Sequence, residues 1–190
     1  MDNLYLSPPN LGGIFIGVTL RLENLPYTFR IQYEVRVPYL PTPLNVVEVM
    51  LKLANPKPGE LLVDLGSGDG RILIYAAKKY GCYCRGYEIN PVLVFLSRRR
   101  VYEEGLADRV EIINGDFRDA KIDDADIITA FLSDEAMRIL KPKFEREAKD
   151  GCRIVSHDFP IPDWRPVRVV EIEGSKAHTH RVYLYVVRKF

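Results

Sequence analysis

From Leu61 onward, short apolar runs alternate with stretches of helical periodicity in this chain of 190 residues. The alternation predicts β-α-β units and therefore an α/β fold with a doubly wound, mostly parallel sheet. The strand patterns cover residues 61–65, 82–88, 110–113, 125–130 and 153–157, and the helix patterns cover 44–54, 71–80, 91–104 and 135–149. Two further strand patterns, 167–172 and 182–187, flank a turn at Gly174 and predict a C-terminal antiparallel hairpin.

The residues before this alternation follow another pattern. Apolar and polar residues alternate from Phe29 to Val37 and more loosely over 14–22, with a turn-like stretch between them, so a β-hairpin is predicted. In the Pro-rich segment that follows, Thr42-Pro43 is a favourable helix start, with the Thr42 hydroxyl as N-cap. We therefore divide the chain into an N-terminal extension, 1–37, and one domain, 38–190.

Composition restricts the partners and the compartment. Lys and Arg number 27 against 26 Asp and Glu, and a net charge of +1 gives no electrostatic basis for stable nucleic-acid or membrane binding. The apolar stretch at 13–18 is shorter than the ~20 residues of a spanning helix. Three cysteines and three histidines form no disulfide scaffold and no familiar metal-ligand spacing. We expect a cytoplasmic protein without a metal ion.

The chemistry is concentrated where the first strand of the alternation ends. Asp64 and Leu65 are followed at once by the loop Gly66-Ser67-Gly68-Asp69-Gly70 and then by a helix. In an open α/β sheet, this arrangement places a ligand at the carboxyl ends of the strands, against a helix N-terminus. The three glycines alone fit a tight turn and a ligand site equally well.

A second acid separates these interpretations. Glu88 ends the next strand, where a carboxylate can accept both hydroxyls of an adenosine ribose, as in sheets that bind NAD or S-adenosylmethionine. Arg71 stands where the dinucleotide motif needs its third glycine, and Asp64 suits a ligand with an ammonium group. After the third strand, Asp116 is placed to accept from the adenine amine while Phe117 packs on the ring. The sequence therefore predicts S-adenosylmethionine as cofactor.

The order of these motifs resembles the class I, seven-stranded S-adenosylmethionine-dependent methyltransferases. More narrowly, the segments 38–43, 64–71, 86–90 and 156–159, followed by Trp164, resemble the small archaeal protein-lysine methyltransferases, which are similar to the mitochondrial lysine methyltransferases of eukaryotes. The resemblance covers roughly residues 36 to 190. It implies a Rossmann-like methyltransferase fold and methyl transfer to lysine ε-amines of protein substrates, and it leaves the hairpin before Val37 unassigned.

Two sets of candidate site residues follow. The expected cofactor-binding residues are Tyr39, Asp64, Gly66, Ser67, Gly68, Gly70, Glu88, Ile89, Asn90, Asp116, Phe117 and Phe131. The expected catalytic or channel residues are Tyr39, Thr42, Phe131 and Leu132. Tyr39 lies in a stiff segment suited to a lid over the cofactor, whereas core packing explains Phe131 nearly as well. His157 is interpreted as structural, because it and Asp158 are neighbours on a strand and should face opposite sides.

The acceptor is the least constrained part of the prediction. The cofactor half of the fold says nothing about it, so a methyltransferase acting on a small molecule or RNA, or a non-catalytic S-adenosylmethionine-binding module, remain alternatives. The turn after the fourth strand, Phe131-Leu132-Ser133-Asp134, has none of the prolines with which amino-methylating DNA enzymes hold a flipped base. Base methylation by that mechanism is therefore disfavoured. The oligomeric state stays open.

Overall fold

The computed structural model describes residues 39–174 and 178–189, which belong to one unit, Val35–Phe190. The predicted N-terminal hairpin lies outside the described residues. Within the described part, no helix has the length and apolar character needed to cross a membrane. The helices are α1 (Leu44–Ala54), α2 (Arg71–Tyr80), α3 (Pro91–Glu103) and α4 (Asp134–Glu147). The strands are β1 (Leu61–Leu65), β2 (Tyr83–Glu88), β3 (Val110–Asn114), β4 (Ile127–Ala130), β5 (Arg153–His157), β6 (Arg168–Glu173) and β7 (Thr179–Val186).

The strands form one seven-stranded sheet in the order β3-β2-β1-β4-β5-β7-β6. Strands β1 to β5 pair in parallel, because crossover connections between them return the chain to the same end of the sheet. β7 inserts antiparallel between β5 and β6, so the sheet is mixed. The order reverses beside β1, and such a reversal opens a crevice at the carboxyl ends of the strands.

Helices cover both faces of the sheet. On one face, α1, α2 and α3 bury apolar side chains such as Met50, Leu73 and Val101 against the strands. On the other face, α4 contributes Leu140 and Phe144 to a second apolar cluster. Because both faces are covered, the central strands β1 and β4 are almost entirely buried, and their ends are held firmly where the site lies.

Several local expectations differ from the structure. β4 begins at Ile127 rather than at 125, α4 spans Asp134–Glu147 rather than 135–149, and β7 begins at Thr179 rather than at 182. The predicted N-cap role of Thr42 is wrong. The N-cap residue of α1 is Pro43, which has no side-chain hydrogen bond, and the Thr42 hydroxyl instead lies 3.5 Å from Nδ1 of His157.

Candidate active site

The carboxylate of Asp64 lies at the floor of the crevice, at the end of β1. The residue is 2% exposed, and Oδ1 accepts a hydrogen bond of 2.7 Å from the Thr129 hydroxyl on β4. Burial raises the pKa of Asp64 to about 7, opposed by the Thr129 hydrogen bond and assisted by the charges of Glu88 and Asp69. Among the described residues no lysine or arginine forms an ion pair with Asp64. A buried carboxylate without a cation is suited to a ligand's ammonium group.

The glycine loop after β1 wraps tightly around this position. Gly66, Gly68 and Gly70 all have positive φ, which side chains other than glycine rarely adopt. A Cβ at Gly68 would lie 2.7 Å from the ring of Tyr39, so Tyr39 packs directly on the loop. Ser67 Oγ is buried and has no hydrogen-bond partner among the described residues. This Oγ lies against Gly86 of β2, where a Cβ would be 2.7 Å from it, so the Ser67 side chain packs the glycine loop onto the sheet.

Glu88 connects the glycine loop to the end of β2. Its Oε2 accepts the Gly68 backbone N–H at 2.9 Å, and its Oε1 accepts the Asn90 backbone N–H at 2.8 Å. Each oxygen keeps a further lone pair, which is what two ribose hydroxyls require. Asn90 caps α3 by accepting from the Val92 backbone N–H, whereas Ile89 is 39% exposed beside it.

The third predicted acid is engaged within its own loop. Asp116 accepts from the Arg118 backbone N–H at 2.8 Å and from the Arg118 guanidinium, and so caps the short 3-10 turn Phe117–Asp119. These bonds lower the pKa of Asp116 against the opposing effect of burial. Phe117 packs beside the second apolar cluster. The contact of both residues with adenine stays a prediction.

Arg71 has a role that the sequence analysis missed. Its Nε and Nη2 donate to the Asp69 carboxylate, and its Nη1 donates to the backbone carbonyl of Thr42 at 2.9 Å. Arg100 on α3 donates to the same Asp69 carboxylate. These contacts tie the Pro-rich segment to the glycine loop, and Tyr39 lies on that segment. The sequence showed only that Arg71 excludes a dinucleotide motif.

The predicted channel residues lie around the ends of β4 and β5. Leu132 is 7% exposed and packs against Gly66, where a Cβ would lie 2.7 Å from its Cδ2. The Phe131 ring is partly exposed and lies 3.9 Å, centroid to centroid, from the His157 ring. The Phe159 ring stacks on Phe131 with a centroid separation of 6.2 Å. The two phenyl rings therefore form an apolar surface next to the cofactor crevice.

His157 is fully buried, and its neighbour does not point away from it as strand alternation predicted. Asp158 lies just beyond β5 with φ of 61°, and this left-handed backbone brings its Oδ2 to 3.3 Å from Nε2 of His157. Burial lowers the pKa of His157 to about 4, so its imidazole is neutral at neutral pH. Trp164 donates from its indole N–H to Glu145, and its ring packs edge-on against the Tyr185 ring.

A sheet of this order, with a buried acid and glycine loop after β1 and a second acid at the end of β2, defines the class I S-adenosylmethionine-dependent methyltransferases. The family model for the ANTKMT methyltransferase domain matches residues 64–168. The chain belongs to this family and is a methyltransferase whose cofactor is S-adenosylmethionine.

Individual relatives agree with this assignment. Over 156 residues the chain is 40% identical to a protein-lysine N-methyltransferase of Saccharolobus islandicus, covering 82% of this chain and 96% of that protein. It is 37% identical to the adenine nucleotide translocase lysine N-methyltransferase of Mus musculus, over 83% of this chain but only 66% of that protein. A crystal structure described as an RNA methyltransferase from Salinibacter ruber, with S-adenosyl-L-homocysteine, matches with a TM-score of 0.75 and 39% identity, covering 80% of this chain and 95% of that one.

Proposed function

We propose that this protein transfers methyl groups from S-adenosylmethionine to lysine ε-amines of protein substrates. The observation that carries the proposal is the 40% identity to the Saccharolobus islandicus protein-lysine N-methyltransferase, because the match covers 96% of that protein and 82% of this chain. Two eukaryotic lysine methyltransferases, one named for adenine nucleotide translocase and one for a component of ATP synthase, match at 37% and 35% identity.

The cofactor side of the reaction follows from the residues at β1 and β2. Asp64 would hold the ammonium group of the methionine part, and Glu88 would accept the ribose hydroxyls with the lone pairs that Gly68 and Asn90 leave free. Ser67 would lie in the glycine loop beneath the cofactor, with its side chain packed against Gly86. Tyr39, held on the loop by the Arg71 tether, would cover the bound cofactor. When bound, S-adenosylmethionine supplies an electrophilic methyl group.

The acceptor side has to deliver a neutral amine. A lysine ammonium has a pKa of about 10.4, so deprotonation near pH 7 costs roughly 4 to 5 kcal/mol unless the site lowers that pKa. The apolar surface of Phe131 and Phe159 would strip water from the ammonium and disfavour its charge. The His157 ring forms the backing of Phe131. We therefore assign Phe131 and Leu132 to lining the amine's path, with the proton leaving to solvent before transfer.

RNA is the second candidate acceptor, because the Salinibacter ruber relative at 39% identity is described as an RNA methyltransferase. The net charge of +1 favours protein over RNA, and the turn after β4, residues 131–134, lacks the prolines of enzymes that methylate a flipped base. A small-molecule acceptor has weaker support, because a relative named as a probable tocopherol O-methyltransferase of Oryza sativa is 33% identical over only 54% of this chain and 29% of that protein. Membership in a family of methyltransferases disfavours a non-catalytic binding module.

One experiment separates these acceptors. The pure protein is incubated with methyl-labelled S-adenosylmethionine and, in parallel, with protein, RNA and metabolite fractions, and the labelled material is hydrolysed. Methyl-lysine in the protein fraction supports the proposal, whereas label confined to RNA or metabolites contradicts it. Glu88→Gln is the matched inactive control, because it removes the charge at the proposed ribose site with little change in volume.

We further propose a cytoplasmic location and a domain boundary near residue 37. Three free cysteines, Cys82, Cys84 and Cys152, support a reducing compartment. The family match begins at residue 64, well inside the proposed domain 38–190.

A further inference from the structure

Three imidazoles converge on one carboxylate oxygen at the end of β5. Nε2 of His157, Nε2 of His178 and Nδ1 of His180 lie 3.3, 2.9 and 3.6 Å from Oδ2 of Asp158. Nε2 of His157 and Nδ1 of His180 are 3.0 Å apart. These are all the histidines of the chain, although they come from β5 and from the region around the start of β7. None of them is among the expected cofactor-binding or catalytic residues.

The geometry of three of these residues matches a metal site. Zinc bonds of about 2.0 to 2.2 Å to imidazole nitrogen and carboxylate oxygen, in tetrahedral geometry, separate neighbouring ligand atoms by roughly 3.3 to 3.6 Å. The ligand atoms of His157, Asp158 and His180 all lie within 4.8 Å of one another, with edges of 3.0, 3.3 and 3.6 Å. One ion therefore fits this triangle with shifts of a few tenths of an ångström.

The supporting contacts hold these ligand atoms in place. The backbone N–H of Asp158 donates to the Arg181 carbonyl at 2.7 Å, and the Arg181 N–H donates back to Oδ1 of Asp158 at 2.8 Å. Oδ2 is thereby directed to the imidazoles, and the left-handed backbone of Asp158 is the strained geometry that commonly marks functional sites. Nδ1 of His157 faces the Thr42 hydroxyl at 3.5 Å, which leaves Nε2 directed towards the cluster.

We propose that His157, Asp158 and His180 bind one divalent metal ion of the zinc type. Two imidazoles and a carboxylate favour zinc or cobalt over magnesium or calcium, which take oxygen ligands. His178 stays outside this set and contacts Oδ2 of Asp158 through its Nε2. The ion would fasten β7 to the end of β5 directly behind Phe131, independently of which acceptor the enzyme methylates.

Metal binding to the full chain tests the proposal without measuring activity. The chelator-treated protein is titrated calorimetrically with Zn²⁺, Co²⁺ and Mg²⁺, and bound zinc is counted by elemental analysis. We expect one Zn²⁺ per chain, a higher melting temperature with Zn²⁺ and no comparable effect of Mg²⁺. The Co²⁺ complex should lack a thiolate charge-transfer band, since no cysteine lies among the proposed ligands.

Two ligand variants and one control make the result specific. Asp158→Asn keeps the shape and tolerates the left-handed backbone, and His180→Asn changes a partly exposed residue of β7, so each should fold and lose at least about 10-fold in zinc affinity. Asp163→Asn is the matched control, because Asp163 also has positive φ (62°) but is exposed, pairs with Lys141 and lies outside the cluster. Absence of zinc binding, a thiolate band, or wild-type affinity in both ligand variants would overturn the proposal.

Discussion

The Thr129 hydroxyl donates a hydrogen bond of 2.7 Å to Oδ1 of Asp64, and both side chains are buried where β4 and β1 lie side by side. This is the one side-chain donor to Asp64 among the described residues, and it offsets only part of the cost of burying the carboxylate. Without a bound cation, the carboxyl group of Asp64 is therefore about half protonated at neutral pH.

Asp64→Asn should stabilise the cofactor-free protein and impair the holoenzyme. Because the native pKa is about 7 against 3.8 in the unfolded chain, the native state holds a proton that the unfolded state releases. The free energy of unfolding therefore falls as the pH rises from about 4 to about 7 and stays low above that. At pH 8 the variant should gain up to about 4 kcal/mol, and its cofactor affinity should fall roughly 10- to 100-fold.

Thermal unfolding across pH 4 to 9 and calorimetry with S-adenosylhomocysteine measure both effects. Asp163→Asn, at an exposed site, should change neither. A variant that gains no stability at pH 8 would show that Asp64 is not held at a raised pKa. In the wild type, cofactor affinity should fall as the pH drops below about 7, since protonated Asp64 no longer attracts an ammonium group.

Thr129→Val tests the hydrogen bond itself. The substitution keeps the shape of the side chain and removes the donor, so the pKa of Asp64 should rise further and the pH at which cofactor affinity falls should move upward. We expect a loss of about 1 to 3 kcal/mol in the free energy of unfolding at pH 8, because the buried carboxyl group loses its hydrogen-bond donor. Thr179→Val, on the exposed start of β7, is the control. An unchanged pH profile would mean that Thr129 does not tune Asp64.

Much of the fold was accessible from the sequence because its signals are local. The predicted bounds of α1, β1, α2 and β5 agree with the structure, since Pro and Gly punctuate each of these segments. The contacts that complete the site are long-range. Nothing in the spacing links Thr42 with His157, 115 positions apart, or His157 with His180. The alternation rule does not apply to Asp158, because this residue lies one position beyond the end of β5 and has a positive φ.

Arg71→Lys should weaken cofactor binding although it keeps the charge. A lysine cannot reach the Thr42 carbonyl and both oxygens of Asp69 at once, so the tether between the Pro-rich segment and the glycine loop is lost. We expect about a 10-fold loss of affinity for S-adenosylhomocysteine, measured by calorimetry. Arg99→Lys is the control, since Arg99 pairs with Glu103 on the exposed surface of α3. Equal affinities in the two variants would refute the tether.

Tyr39→Ala should separate the covering of the cofactor from the stability of the fold. Tyr39 packs on Gly68 yet is 45% exposed, so its loss removes little core contact. Cofactor affinity should fall about 5- to 10-fold, while the melting temperature stays within about 2 °C of the wild type. Tyr102→Ala, at a tyrosine that is 79% exposed on α3, controls for the loss of a surface ring. Unchanged affinity in Tyr39→Ala would exclude a lid.

Phe131→Ala should change the pH dependence of methyl transfer more than it changes cofactor binding. Removing the ring admits water beside the acceptor, so the bound lysine keeps a higher pKa and a smaller fraction of it is neutral at pH 7. At pH 7, kcat should fall about 10-fold or more, and raising the pH should restore activity, which shifts the rising limb of the kcat profile towards alkaline pH.

Phe95→Ala, at a ring that is 66% exposed on α3, is the matched control and should leave the profile in place. Phe131→Leu should give an intermediate shift, because leucine still excludes water but covers less of the acceptor path. A parallel loss of activity at every pH, with the limb unmoved, would assign Phe131 to packing against His157 and Phe159 rather than to lowering the pKa of the lysine. The pH profile therefore distinguishes a residue that lines the acceptor path from one that belongs only to the core.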